Sequence, residues 1–124
     1  GDGKQTRDFT FVSDVVDAIY KAWKSNAKDQ IFNVGSGKTV SVNQIVQILG
    51  GTKTYVPKRP GEPDCTFADM KKIKKTLRWM PKVNINDGIK KILKEIDYWK
   101  DAPIWTPKKI NFETKDWFKY IKNK

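Results

Sequence analysis

The twelve residues from Gln5 to Val16 limit what this chain can fold into more than any other stretch. Phe9, Phe11 and Val15 fall on alternate positions, with polar Thr10 between the first two, which reads as a short strand with one apolar face. Ser13 or Asp14 then offers a side chain that can accept the unpaired N–H groups of a new helix. A strand that turns directly into a helix points to α/β packing. Just before it stands Arg7, one of three arginines among 25 cationic residues. Its guanidinium is a planar fork of donors suited to phosphate or carboxylate. The simplest partner is the adjacent Asp8, in a surface pair.

The remaining pattern alternates short strands and helices. Val15, Ala18, Ile19, Ala22 and Trp23 make one apolar stripe of a helix over about 14–25. Ile31 to Val34 reads as a strand, cut off by Gly35-Ser36-Gly37, and Thr39-Val40 is a short extended piece. Ser41 with Gln44 three positions on is a capping box opening a helix over 42–49, which Gly50-Gly51 stops. Thr54 to Val56 reads as a strand. Pro57 to Pro63 holds three prolines, so that loop is neither helical nor centrally paired. Cys65-Thr66-Phe67 reads as a further short strand. Asp69 is placed as the cap of a helix over 69–77, and Asn86 as the cap of one over 86–99. Strands are expected near 10–12, 31–34 and 54–56. The whole is α/β, a small mixed sheet with flanking helices. Its tail carries an amphipathic patch of Trp117, Phe118 and Ile121.

At 124 residues, with fifteen aromatic side chains, one domain with a modest core is expected rather than disorder. No apolar run is long enough to span a membrane, and no signal peptide is read. Cys65 is the lone cysteine, which fits a reducing cytoplasm. The chain has no histidine, which removes the commonest general base and the commonest metal ligand and argues against zinc and serine–histidine hydrolase chemistry; no metal site is expected. The net charge of +11 opens an alternative function, a basic interaction module binding nucleic acid or another anionic partner. The lysines, however, are spread along every expected helix, densest at Lys71, Lys72, Lys74 and Lys75. That is the pattern of solvated helix faces, and it argues against nucleic acid.

Three tempting motifs fail on spacing. Gly35-Ser36-Gly37-Lys38-Thr39 lacks the earlier glycine of a phosphate-binding P-loop, whose place Phe32 takes. Tyr20-x-x-x-Lys24 and Tyr120-x-x-x-Lys124 mimic a catalytic tyrosine–lysine pair, but so many lysines produce such matches by chance. No glycine-rich dinucleotide fingerprint occurs.

Four motifs in order do carry a resemblance. They are Gln5 to Val16 after Gly1-Asp2-Gly3; Phe32-Asn33-Val34-Gly35-Ser36-Gly37 with Val40-Ser41-Val42; Arg59-Pro60-Gly61-Glu62-Pro63-Asp64; and Ala68-Asp69 through Leu77-Arg78-Trp79 and Pro81. Together the chain resembles the C-terminal, substrate-binding part of NAD-dependent epimerases and dehydratases. These are extended short-chain dehydrogenases, such as UDP-galactose 4-epimerase, that act on nucleotide sugars. The resemblance implies a nucleotide-sugar lobe over 1–100 and an aromatic-rich extension over 101–124 packed on or beside it. It implies that Arg7 and Arg59 grip a nucleotide diphosphate and that Glu62 accepts ribose hydroxyls. Phe9 stands where some members place a tyrosine near the nucleotide. No catalytic residue is expected here, because the half with the glycine loop, tyrosine and lysine, which holds NAD, is not matched. The chain is therefore read as a fragment that alone binds no NAD and catalyses nothing. Its partners would be the nucleotide-diphosphate sugar, the Rossmann half and, through an exposed apolar face, a second copy.

Overall fold

The computed structural model describes residues 1–121. Its architecture is α/β, built outward from one very short strand. β1 (Thr6–Arg7) pairs antiparallel with β2 (Val40–Ser41), Thr6 facing Ser41 and Arg7 facing Val40. On its other edge Thr6 forms a parallel bridge to Cys65. There the Thr6 N–H donates to the Asp64 carbonyl at 2.8 Å, and the Thr66 N–H donates to the Thr6 carbonyl at 3.2 Å. β1 is thus held from both sides, which fixes the loop ending at Asp64 beside Arg7.

Around this ribbon lie α1 (Val12–Lys24), α2 (Val42–Leu49), α3 (Lys71–Leu77) and α4 (Ile85–Lys94). A 3-10 turn (Ile96–Trp99), α5 (Pro107–Glu113) and α6 (Lys115–Ile121) follow. No helix among the described residues is long and apolar enough to cross a membrane. The capping box forms as expected: the Gln44 N–H donates to Ser41 Oγ, and Gln44 Oε1 accepts from the Ser41 N–H. α3 starts at Lys71 with Met70, not Asp69, in the cap position, and Asp69 Oδ1 accepts from the Lys71 N–H at 2.9 Å from one residue before it.

The core is compact and sits between α1 and α3. Trp79 and Ile73 are fully enclosed with Ala18 and Met70, and Phe32, Val34, Ala68 and Leu77 pack against them. Two backbone-directed carboxylates lock the loops around it. Asp14, buried, accepts the N–H groups of Lys82 (3.1 Å) and Val83 (3.0 Å). Asp8 accepts from the Ser36 N–H and Oγ–H on one oxygen and from the Ala68 N–H on the other. A Cβ at position 35 would stand 2.4 Å from Asp8 Oδ2 and 2.6 Å from Ala68 Cβ, so only glycine lets these strands of chain meet.

Several expectations need correction. α1 begins at Val12, with Phe11 as its cap and no side-chain bond. Neither Ser13 nor Asp14 caps it, since Asp14 reaches 68 residues along the chain instead. The 10–12 segment cannot then be a strand, because the Phe11 carbonyl already accepts the first helical N–H groups. Residues 31–34 and 54–56 form no ladder among the described residues. Phe32 and Val34 still alternate inward against exposed Ile31 and Asn33, but among the described residues no hydrogen-bonded ladder joins them to a neighbouring strand. The last long helix is capped by Asn84, not Asn86, and gives way to the 3-10 turn after Lys94. The apolar stripe of α1 is also split. Ala18 faces the core, whereas Ile19 and Trp23 join Val12, Val16 and Tyr20 on an outer, solvent-facing side.

Candidate functional site

The Arg59-Pro60-Gly61-Glu62 segment is a tight turn. Proline presets φ at the second position, and Gly61 takes the positive φ of 72° that the third position demands. The Glu62 N–H points back to the Arg59 carbonyl at 3.4 Å, so the two charged side chains leave the turn together. Arg59 Nη2 donates to Glu62 Oε1 at 3.0 Å and Arg59 Nε to Oε2 at 3.4 Å. Arg7, carried alongside by the Thr6 bridge to Cys65, donates from Nη2 to the same Oε1 at 3.3 Å. Its Nη1 is braced on the Thr6 carbonyl at 2.8 Å. The adjacent pairing with Asp8 does not form: Asp8 is occupied by Ser36 and Ala68.

Two guanidinium groups and one carboxylate, separated by 55 positions in sequence, therefore form one cluster carrying a net positive charge. Glu62 is the most enclosed of the three, its side chain 19% exposed, while that of Arg59 is 45% exposed. Each guanidinium has five N–H donors, so both keep donors free after these bonds. Lys58 adds no free charge: its ammonium meets Asp64 Oδ1 at 2.6 Å, and that bond raises its pKa above the usual lysine value.

Arg59 and Glu62 open onto a cleft of about 740 Å³, whose walls include Tyr55, Val56, Trp105 and Phe118. Phe9 is not part of it. It lines a separate apolar groove of about 310 Å³ with Phe11, Leu49, Ile89 and Ile92. Trp117 is a residue that the sequence reading left without a role here. Its Nε1–H donates to the Pro60 carbonyl at 2.8 Å, and the Arg59 guanidinium carbon lies 5.4 Å from its ring centroid. No local pattern signals a contact spanning 57 residues.

The decoys resolve on geometry. The N–H of Ser36, which a P-loop would aim at phosphate, is spent on Asp8. Lys24 lies over the exposed rings of Tyr20 and Trp23 on the outer side of α1. Lys124 of the second tyrosine–lysine pair lies outside the described residues. No group of acidic, cysteine or histidine side chains among the described residues could hold a metal ion.

Residues 1–35 match the model of the NAD dependent epimerase/dehydratase family. Over 99 residues the chain is 38% identical to a putative UDP-glucose 4-epimerase of Methanocaldococcus jannaschii, spanning 75% of this chain and 32% of that protein. Among solved structures it is similar to the UDP-glucuronic acid 4-epimerase of Bacillus cereus in complex with UDP-glucuronic acid and NAD. The TM-score is 0.73 at 30% identity, covering 79% of this chain and 34% of that one. The UDP-glucose 4-epimerase of Thermotoga maritima, solved with UDP-glucose, matches with a TM-score of 0.73 at 32% identity, over 79% of this chain and 33% of that one. The chain is similar to members of the NAD dependent epimerase/dehydratase family over about three quarters of its own length. It spans about a third of the length of the curated relatives it matches.

Proposed function

We propose that this chain is the substrate-gripping portion of an NAD-dependent nucleotide-sugar epimerase or dehydratase, working in the reducing cytoplasm. The observation that carries the reading is the convergence of Arg7 and Arg59 on Glu62 beside an open cleft. A nucleotide diphosphate brings about two negative charges on adjacent phosphates, and two forks can bind it through charge-assisted bonds. Glu62 holds both forks in register and keeps acceptor capacity for ribose hydroxyls. The similar structures solved with UDP-sugars support this assignment of ligand class.

The residues present do not fit the cofactor. A dinucleotide pyrophosphate needs a glycine loop whose N–H groups are free at a helix N-terminus. The Gly35-Ser36-Gly37 turn directs the Ser36 N–H at Asp8 instead. Hydride transfer and its proton relay are accordingly assigned to a Rossmann half outside this chain, and the chain alone neither binds NAD nor catalyses. The outer face of α1, with Val16, Ile19 and Trp23 uncovered, is the surface we assign to that half or to a second copy.

In the complete enzyme, Arg7→Lys or Arg59→Lys is expected to weaken nucleotide-sugar binding about tenfold, because lysine supplies charge without the fork. NAD affinity should stay unchanged. Calorimetric titration with each ligand tests this, and loss of NAD binding alone would overturn it.

A further inference from the structure

The end of the chain reaches back to the Arg59 turn and holds it. Trp117 of α6 donates its Nε1–H to the Pro60 carbonyl at 2.8 Å, and the Arg59 guanidinium carbon lies 5.4 Å from its ring centroid. A Cβ at Gly61 would stand 3.4 Å from Ile121 Cγ2, so α6 runs directly over the turn. α6 is in turn fixed to α5. The Thr114 Oγ–H donates to the Ile110 carbonyl at 2.7 Å, and the Phe118 N–H donates to the Thr114 carbonyl at 3.2 Å.

Arg59 is held on a face and on an edge. Trp117 takes the flat face of the guanidinium, where a ring attracts a cation without using up an N–H group. Glu62 takes one edge, through Nε and Nη2. Nη1 makes no hydrogen bond to protein among the described residues, so its donors remain for a ligand. The side chain is open to solvent and lines the cleft. Without the ring, an arginine on a surface turn keeps much of the rotamer freedom of a long side chain. Stacking confines the guanidinium to one plane and leaves its free edge available.

We infer that Trp117 is a positioning residue for Arg59, and that α6 is thereby a working part of the anion grip. The inference rests on the diphosphate reading above and extends it to a residue that reading does not use. It requires no contact between Trp117 and the ligand. The ring acts through Arg59, removing before binding a freedom that the anion would otherwise have to freeze out.

Inorganic pyrophosphate is the probe, because it has no ring or sugar for the tail to touch. It is titrated calorimetrically into the full chain and into Trp117→Leu, Trp117→Phe, Arg59→Ala and the Arg59→Ala/Trp117→Leu double variant. Trp117→Leu should weaken binding about three- to fivefold, the scale of one exposed cation–π contact. Trp117→Phe keeps a ring face and should bind as the parent does. In the Arg59→Ala background Trp117→Leu should cost nothing further, since the group it positions is gone. A general loosening of the fold would instead weaken the remaining hold by Arg7 there too. A parent-like Trp117→Leu, a Trp117→Phe as weak as Trp117→Leu, or a further loss in the double variant would overturn the positioning role and leave the two-arginine grip standing. Failure of the parent to bind pyrophosphate at millimolar concentration would overturn the grip itself, and the positioning role with it.

Discussion

Asp14 and Glu62 are both carboxylates drawn toward distant parts of the chain, but they keep opposite company. Asp14 is almost wholly buried and faces only backbone, the N–H groups of Lys82 and Val83. Glu62 remains partly open and faces two guanidinium groups at the lip of a cleft. Backbone donors cannot move without moving the chain, so the first arrangement serves the fold. Guanidinium donors sit on side chains with further N–H groups to offer, so the second can exchange partners when an anion arrives. Asp8, which accepts from Ser36 and Ala68 at a glycine that admits no side chain, belongs with the first kind.

The contrast breaks most visibly in stability. Asp14→Ala removes two charge-assisted bonds and leaves two N–H groups without protein partners, a loss of about 3 kcal/mol. The melting midpoint should fall by roughly 10 °C. A change below about 1 kcal/mol would mean that the loop at Lys82 and Val83 is held by something else.

Glu62→Ala should do the reverse. Its ion pairs are partly solvated, so the loss of stability should stay below about 1 kcal/mol. Under the proposed grip, UDP affinity should drop about tenfold, because both forks would lose the group that orients them and the ribose an acceptor. Thermal melts run beside calorimetric titrations separate the two effects. A Glu62→Ala protein that melts as early as Asp14→Ala would erase the distinction between the two carboxylates.

The sequence was legible where a residue acts on near neighbours. Ser41 and Gln44 sit three apart, and the box they form could be read from the letters alone. The Arg59 turn was readable in its stiffness for the same reason, through Pro60 and Gly61. Where partners lie far apart, local reading went astray. Arg7 has an acidic neighbour in Asp8, yet its carboxylate partner is Glu62, because the Thr6 ladder to Cys65 brings that loop alongside and Ser36 claims Asp8. Asp14 has the composition of a helix cap and serves as a clamp 68 residues away. Ile31 to Val34 has strand chemistry, and its alternation survives in the packing of Phe32 and Val34, but pairing depends on an edge that no single segment encodes. The α1 stripe misled differently. Its apolar residues number enough for two faces, and only Ala18 and its neighbours found cover.

The smallest effect is expected at Lys58, a residue close to the cluster in sequence and in space. Its ammonium is bonded to Asp64 at 2.6 Å, which raises its pKa above the ordinary 10.5. A group protonated more readily in the folded state contributes stability that is complete below its unfolded value and is lost as pH rises through the folded one. Any contribution is therefore present at neutral pH and disappears only above about 10.5. Both partners stand open to water, the side chain of Lys58 62% exposed and that of Asp64 82%, and solvent screens such pairs heavily. Lys58→Gln should then leave the melting midpoint unchanged within error from pH 7 up to strongly alkaline pH. UDP binding should also hold, since Asp64 already engages this charge. A marked loss of UDP affinity in Lys58→Gln, with the melt unchanged, would add Lys58 to the grip and end the special standing of the two arginines.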